Sequence, residues 1–362
     1  MPDHGRAERA LAVVAAGATD IGQREHNEDH FLVRPELGLY LLADGAGGHN
    51  AGNVASALAT TTVANVFESS ATTLSQRPEI DDFGLYTTAR RLAAAIQRAN
   101  AEVIDIAKKA EKYQGMGTTV VGIAFSADGN MVHVAHVGDS RCYRLRGGVL
   151  EALTIDHSML VDVLELHPDI DDQLLAKMPQ QVVTRALGME ETVRVPVRTL
   201  RALPGDIYLL CSDGLSDAID DDAIQELLSV RRSPDEHVRA LVSAALAARA
   251  LDNVAAVVAA CHEVDAPPMR RPSARPAPTF LEAARAQLSS APEIVIVGVE
   301  SHVVPADSAS VSLLDALGRF ARLRQSSAPE LSQPKPARCA ACGQPLEPDA
   351  TSCPTCGTSF AR

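Results

Sequence analysis

The sequence predicts an α+β fold, a mixed β sandwich with helices on its outside, followed by a small metal-bound tail. Apolar segments of strand length dominate the chain up to residue 262, and two long helical patterns interrupt them. Strands first, helices clustered between them and strands again is the order of a layered α+β domain. The tail follows from two Cys-x-x-Cys-Gly knuckles near the end of the chain.

Residues 11–18 are apolar but far too short to span a bilayer. Glu8 and Arg9 precede them and Asp20 follows, without the basic start of a signal peptide, so they read as a first strand. Residues 31–34 and 39–43, joined by the turn-like Pro35-Glu36-Leu37-Gly38, form a hairpin whose second strand ends at Asp44. An Ala-rich helix over 51–67 begins after Gly47-Gly48. A second helix, 88–112, sets Leu92, Ile96, Ala99, Val103, Ile106 and Ala110 four and three apart, an apolar stripe that should pack on a sheet. Residues 120–125 and 131–137 flank Asp128-Gly129 as another hairpin, which leads to Asp139. Residues 207–211 lead into Asp213, helical patterns cover 221–230 and 234–249, and a strand at 254–260 starts just after Asp252.

The chain carries a formal charge of -13, which argues against a sequence-independent nucleic-acid binder, since that needs Lys and Arg to displace counterions. No run approaches transmembrane length, so no membrane partner and a cytoplasmic setting are expected. With no Trp, the core must rest on Ala, Val, Leu and Ile. Cys142, Cys211 and Cys261 lie singly in apolar runs and read as buried thiols.

Five acidic stretches punctuate this pattern: Arg24-Glu25-His26-Asn27-Glu28-Asp29, Asp44-Gly45-Ala46-Gly47-Gly48-His49, Gly138-Asp139-Ser140-Arg141, Ser212-Asp213-Gly214-Leu215 and Asp252-Asn253. Several of their aspartates sit where a strand should end and deliver a carboxylate to a shared rim. Carboxylates from distant segments suit Mn²⁺ or Mg²⁺, hard ions that keep some bound water. Asp44 is the best candidate for a bridge between two ions. Gly45 suits a carbonyl ligand, because a residue without Cβ lets backbone approach closely.

Together with Met116-Gly117-Thr118-Thr119, Leu153-Thr154-Ile155-Asp156-His157-Ser158 and Thr184-Arg185-Ala186-Leu187-Gly188, these stretches resemble the type 2C metal-dependent protein phosphatases in their bacterial form, over residues 10–262. The resemblance implies two central sheets flanked by helices on both outer faces, and hydrolysis of phosphoserine and phosphothreonine in proteins by water activated between two Mn²⁺ or Mg²⁺ ions. It implies that Asp213 and Asp252 complete one ion with Asp44, that Glu28 and Asp29 hold its neighbour directly or through water, and that Asp139 takes a third, weaker ion. Arg24 stands where the family places the arginine that grips the substrate phosphate. The implied partners are phosphorylated proteins and the Ser/Thr kinase that the enzyme opposes. Two positions depart from the pattern. Ala46 stands where many eukaryotic relatives carry a proton-donating histidine, and Asn53 where bacterial relatives carry Glu. Residues 159–181 correspond to the family's variable flap and match poorly. Asp156 and His157 read as structural, while His26, His133 and His136 read as ordinary surface or strand histidines. The rival reading is a non-catalytic adaptor that binds phosphoproteins on the same fold; turnover separates the two.

After residue 262, a Pro-rich linker opens a segment, 263–337, with a helix-strand-helix pattern inside it and no function assigned. Cys339, Cys342, Cys353 and Cys356 follow, over 338–360. Four thiolates at this spacing make a closed tetrahedral site that resembles a zinc ribbon. Iron uses similar knuckles; the cytoplasmic setting favours one structural Zn²⁺. So short a segment buries little core, so the metal supplies the folding free energy, and a protein-docking role follows.

Overall fold

The structure, a computed structural model, describes residues 9–265 apart from 48–50, 75–79, 81–83, 85, 128 and 180. The expected linker, beyond its first three residues, and the four-cysteine ribbon lie outside the described residues.

Two antiparallel sheets form the centre. The first takes the order β1 (Arg9–Asp20), β11 (Val254–Asp265), β10 (Ile207–Cys211), β7 (Arg141–Arg146), β8 (Val149–Ala152). The second runs β2 (Asp29–Arg34), β3 (Leu39–Ala46), β5 (Val120–Phe125), β6 (Met131–Val137), β9 (Val197–Arg201), with the short β4 (Gly117–Thr118) paired to the end of β3.

Strands β3, β5, β10 and β11 read as largely continuous apolar runs because both of their faces are buried. Along β3, Tyr40 and Leu42 face the other sheet, while Leu39 and Leu41 face helices. Along β10, Tyr208 and Leu210 point inward, and Leu209 and Cys211 point outward. Phe125 meets Tyr40 and Tyr208 edge-on, at 6.0 and 5.8 Å between ring centres, and so ties the two sheets together.

Helices α1 (Ala51–Leu74) and α2 (Thr87–Lys109) cover the second sheet, where Ala59, Val63, Phe67, Leu92, Ile96 and Ala99 join Val120, Ala135 and Val137 in one cluster. The stripe expected on the second helix is the face that packs, with Leu92, Ile96, Ala99 and Val103 fully buried. Over the first sheet lie α5 (Asp213–Ser216), α6 (Asp221–Ser229) and α7 (Pro234–Ala247). Helix α7 begins with a reciprocal cap in which Ser233 and Glu236 each satisfy the other's backbone, with Pro234 setting the first turn. The result is an α-β-β-α sandwich.

Helix α3 (Met159–Leu166) follows Ser158, which bridges to Val183. Residues 167–178 belong to a second unit and carry one helical turn, α4 (Asp172–Leu175), whose start is capped by Asp171 through the N–H groups of Gln173 and Leu174 at 2.9 and 3.3 Å.

The sequence signalled β7 only through the buried thiol of Cys142, and β8 and β9 not at all. Their charged residues hide the alternation: Arg141, Arg144 and Arg146 in β7 each end in an ion pair with a neighbouring acid.

Candidate metal centre

The ladder registers place the acidic stretches at one end of the sandwich. Asp20 pairs with Val254, Asp29 with Asp44, Val120 with Val137 and Arg141 with Cys211, so the segments carrying Asp29, Asp44, Asp139, Asp213 and Asp252 all emerge there. Asp44 is not at the end of its strand as expected. β3 continues to Ala46 because β4 supplies a partner, Gly45 opposite Thr118.

Short polar side chains next to the acids fasten these segments. Thr119 receives the Asp44 N–H on its hydroxyl at 3.0 Å and returns its own N–H to the Asp44 carbonyl at 2.8 Å, while the Thr118 hydroxyl donates to that same carbonyl at 2.8 Å. The Thr119 and Ser140 hydroxyls meet at 2.7 Å, which draws in the loop of Asp139. Ser212 donates to Asp29 Oδ2 at 2.8 Å and accepts from Ala255 N–H at 2.9 Å. Asn253 accepts the Glu28 N–H at 2.8 Å and donates to the carbonyls of Ile21 and His26 at 2.8 and 2.9 Å. The quoted motifs contain all of these residues, but without roles for them. The signal for Ser140, Ser212 and Asn253 was position, immediately beside an acid; Thr118 and Thr119 carried no such signal.

Packing also requires a glycine at position 45. A Cβ there would lie 2.1 Å from the Gly52 carbonyl and 2.8 Å from that of Glu28. The glycine lets the first turn of α1 pack on β3, and Glu28 Oε1 then accepts the Gly52 N–H at 3.2 Å.

The electrostatics are those of acids crowded without a counter-charge. Burial first, then Asp213, Asp252 and Glu28, raises Asp29 to about 8 against the hydrogen bond from Ser212. Asp44 is driven well above the carboxylate range by loss of solvent and by the charges of Asp29 and Asp213. Burial, Asp213 and Asp156 lift Asp139 to about 7, and Asp213 rises to about 6, mainly through burial. Glu28 is raised too, again by burial. Asp44 and Asp213 lie within hydrogen-bonding reach of each other. Asp29 Oδ1 and Asp213 Oδ1 are buried with no donor from the protein. Among the described residues no ion pair reaches Asp29, Asp44, Asp139 or Asp213.

Orphaned buried carboxylate oxygens of this kind call for a cation, and the all-oxygen donor set fits Mn²⁺ or Mg²⁺. No three acid, His or Cys side chains among the described residues already stand at coordination spacing. The acids form an open rim, which suits ions that keep several of their own waters. At the mouth, Arg24 Nη2 lies 2.5 Å from Asp252 Oδ2, with 57% of the arginine side chain exposed. Ala46 and Asn53 are exposed and offer no charge.

Asp156 and His157 lie behind the Asp139 loop. Asp156 takes Arg141 in a two-pronged pair, at 3.0 and 2.7 Å. His157 stacks on His136, ring centres 4.5 Å apart. Burial keeps both imidazoles below their usual range, His157 at about 2. His136 and His133 are thus interior strand residues; His133 faces the Thr199 hydroxyl at 2.9 Å. The three single cysteines are buried, as expected.

Known proteins share this arrangement. The chain is 32% identical over 240 residues to the serine/threonine phosphatase stp of Listeria monocytogenes, covering 65% of this chain and 91% of that one. It is 34% identical over 237 residues to the serine/threonine protein phosphatase PstP of Mycobacterium tuberculosis, covering 65% of this chain and 42% of the relative. The crystal structure of the PstP catalytic domain in complex with two manganese ions superposes with a TM-score of 0.59 at 34% identity, over 70% of this chain and all of that one. The profile of the family described as Protein phosphatase 2C matches residues 16–253, the stretch that carries every acid of the rim and all of the strands except β11 and the start of β1, and the chain belongs to that family.

Proposed function

We propose that the chain is a metal-dependent phosphatase of phosphoserine and phosphothreonine in proteins, acting in a cytoplasmic signalling circuit against a Ser/Thr kinase. The observation that carries this reading is the gathering of Glu28, Asp29, Asp44, Asp139, Asp213 and Asp252 at one end of the sandwich with Arg24 at its mouth.

Asp44, with Asp213, Asp252 and the Gly45 carbonyl, would hold one ion, Glu28 and Asp29 its neighbour, and Asp139 a weaker third. When bound, Mn²⁺ or Mg²⁺ lowers the pKa of water and offsets the negative charge of the phosphoryl group. Arg24 presents paired donors to two phosphate oxygens and so orients the ester for in-line attack. Its exposure leaves it room to turn from Asp252 to substrate. Ala46 has no proton to give, so the leaving alcohol takes its proton from solvent or another group.

The phosphatase domain spans residues 10–262, a linker runs over 263–337, and a ribbon at 338–360 holds one structural Zn²⁺ through Cys339, Cys342, Cys353 and Cys356 and docks a protein partner. Among the described residues no helix is long and apolar enough to cross a membrane. The test is release of phosphate from a phosphothreonine peptide with and without Mn²⁺, alongside metal analysis. Metal-independent turnover, or peptide binding without phosphate release, overturns the reading.

A further inference from the structure

Asp139 sits in a turn whose every other member is tied down. Gly138 before it has a φ of +110°, a conformation L side chains rarely adopt, and a Cβ there would lie 2.6 Å from Thr119. Ser140 after it meets Thr119, and Arg141 is held in the two-pronged pair with Asp156. Left to itself, a glycine has many backbone conformations open to it, and a change at Gly138 would swing the Asp139 carboxylate.

His157 opposes that relaxation from both sides of one residue. Its Nδ1 accepts the Gly138 N–H at 3.1 Å, and its own backbone N–H donates to the Gly138 carbonyl at 3.0 Å. An Nδ1 that accepts must be unprotonated, so the proton of the neutral ring is on Nε2. The ring itself is fixed by the nearly parallel stack on His136, 10° between planes. His136 in turn donates from Nε2 to the Ile155 carbonyl at 2.7 Å, two residues before His157. The His157 carbonyl accepts the Thr184 N–H at 2.9 Å, which anchors the segment from its far side.

We propose that His157 is a positioning residue for Asp139: through Nδ1 it locks the otherwise permissive Gly138 backbone so that the next carboxylate stays aimed at the metal rim. The inference rests on the phosphatase reading, in which Asp139 is a ligand. It assigns His157 no contact with substrate or ion.

The test compares two polar substitutions in the full chain. His157→Asn puts an amide oxygen where Nδ1 stands, while His157→Gln puts it near the place of Nε2. Mn²⁺ is titrated into metal-free protein by calorimetry, with the melting temperature of the metal-free protein as a control for folding. The expected result is a near-native isotherm for His157→Asn and, for His157→Gln, a weakest Mn²⁺ site loosened by about tenfold to a hundredfold, the usual cost of losing a group that orients a ligand. Once Asp139→Asn has removed the ligand, His157→Gln should weaken Mn²⁺ binding no further, because the two act as one unit. Equal isotherms for the Asn and Gln variants, or fully additive losses in the double variant, would overturn the proposal. Wild-type protein that binds no Mn²⁺ at all would overturn the metal reading itself, and the clamp with it.

Discussion

Arg24 and Asp252 form an ion pair across the mouth of the acidic rim, 2.5 Å from Nη2 to Oδ2, although their proposed tasks differ: one grips phosphate, the other holds metal. The pair is exposed and therefore weak. A divalent ion at Asp252 would compete with the guanidinium and free it to face the substrate.

Arg24→Ala is accordingly expected to lower kcat/KM for a phosphothreonine peptide by about tenfold to a hundredfold, the worth of a charged hydrogen-bond pair. Arg24→Lys should recover only part of this, since a point charge cannot offer two parallel donors. Steady-state kinetics at saturating Mn²⁺ decide it, and an unchanged kcat/KM in the alanine variant excludes the role.

Asp29 and Asp44 face each other as register partners on β2 and β3, the geometry in which like charges repel most. Asp44→Asn should therefore raise the melting temperature of the metal-free protein at pH 8 while reducing the Mn²⁺ bound per chain. In the same variant kcat should fall by at least about a thousandfold. A variant that loses stability without metal and keeps activity would contradict both statements.

The metal-free protein should lose stability as pH rises from about 5.5 to 8. Asp213, Asp139 and Asp29 have folded values of about 6, 7 and 8, all above the unfolded carboxylate value of 3.8. The folded state thus binds more protons than the unfolded state across this window, so this contribution is complete below the unfolded value and lost as pH passes the folded ones. Mn²⁺ displaces those protons, so its stabilising effect should grow over the same range. Thermal melts at pH 5.5 and 8, in chelator and in Mn²⁺, read both slopes. A metal-free melting temperature that rises toward pH 8 is the contrary result.

Asn253 joins three backbone groups of the segment 21–28 that links β1 to β2, at 2.8 to 2.9 Å. Asn253→Ala strands them and is expected to cost about 2 to 4 kcal/mol in urea unfolding. A change below about 0.5 kcal/mol would show that water replaces the side chain easily.

Thiol counting addresses the tail. Cys142, Cys211 and Cys261 are buried, and burial raises the thiol of each, Cys211 and Cys261 to about 12. In the native protein a disulfide reagent at pH 8 should react with none of the seven cysteines, with four after chelation of zinc, and with all of them after unfolding. Four reactive thiols before chelation would argue against the ribbon.

The sequence by itself determined most of the order of strands and helices, though not β8 or β9, together with the buried face of α2 and the candidate acids, because each of these depends on local period or on residue chemistry. It also carried the fasteners Ser140, Ser212 and Asn253 in plain view, but without their partners. Only the tertiary structure decided that Thr119 meets Ser140, that Ser212 reaches Asp29, that Gly45 is needed for Gly52, and that His157 holds Gly138. Apart from the steric fit of Gly45 to Gly52, those contacts join residues of different elements, and their energy comes from excluding water around paired polar groups. Neither the partner nor the exclusion exists until the two sheets have closed.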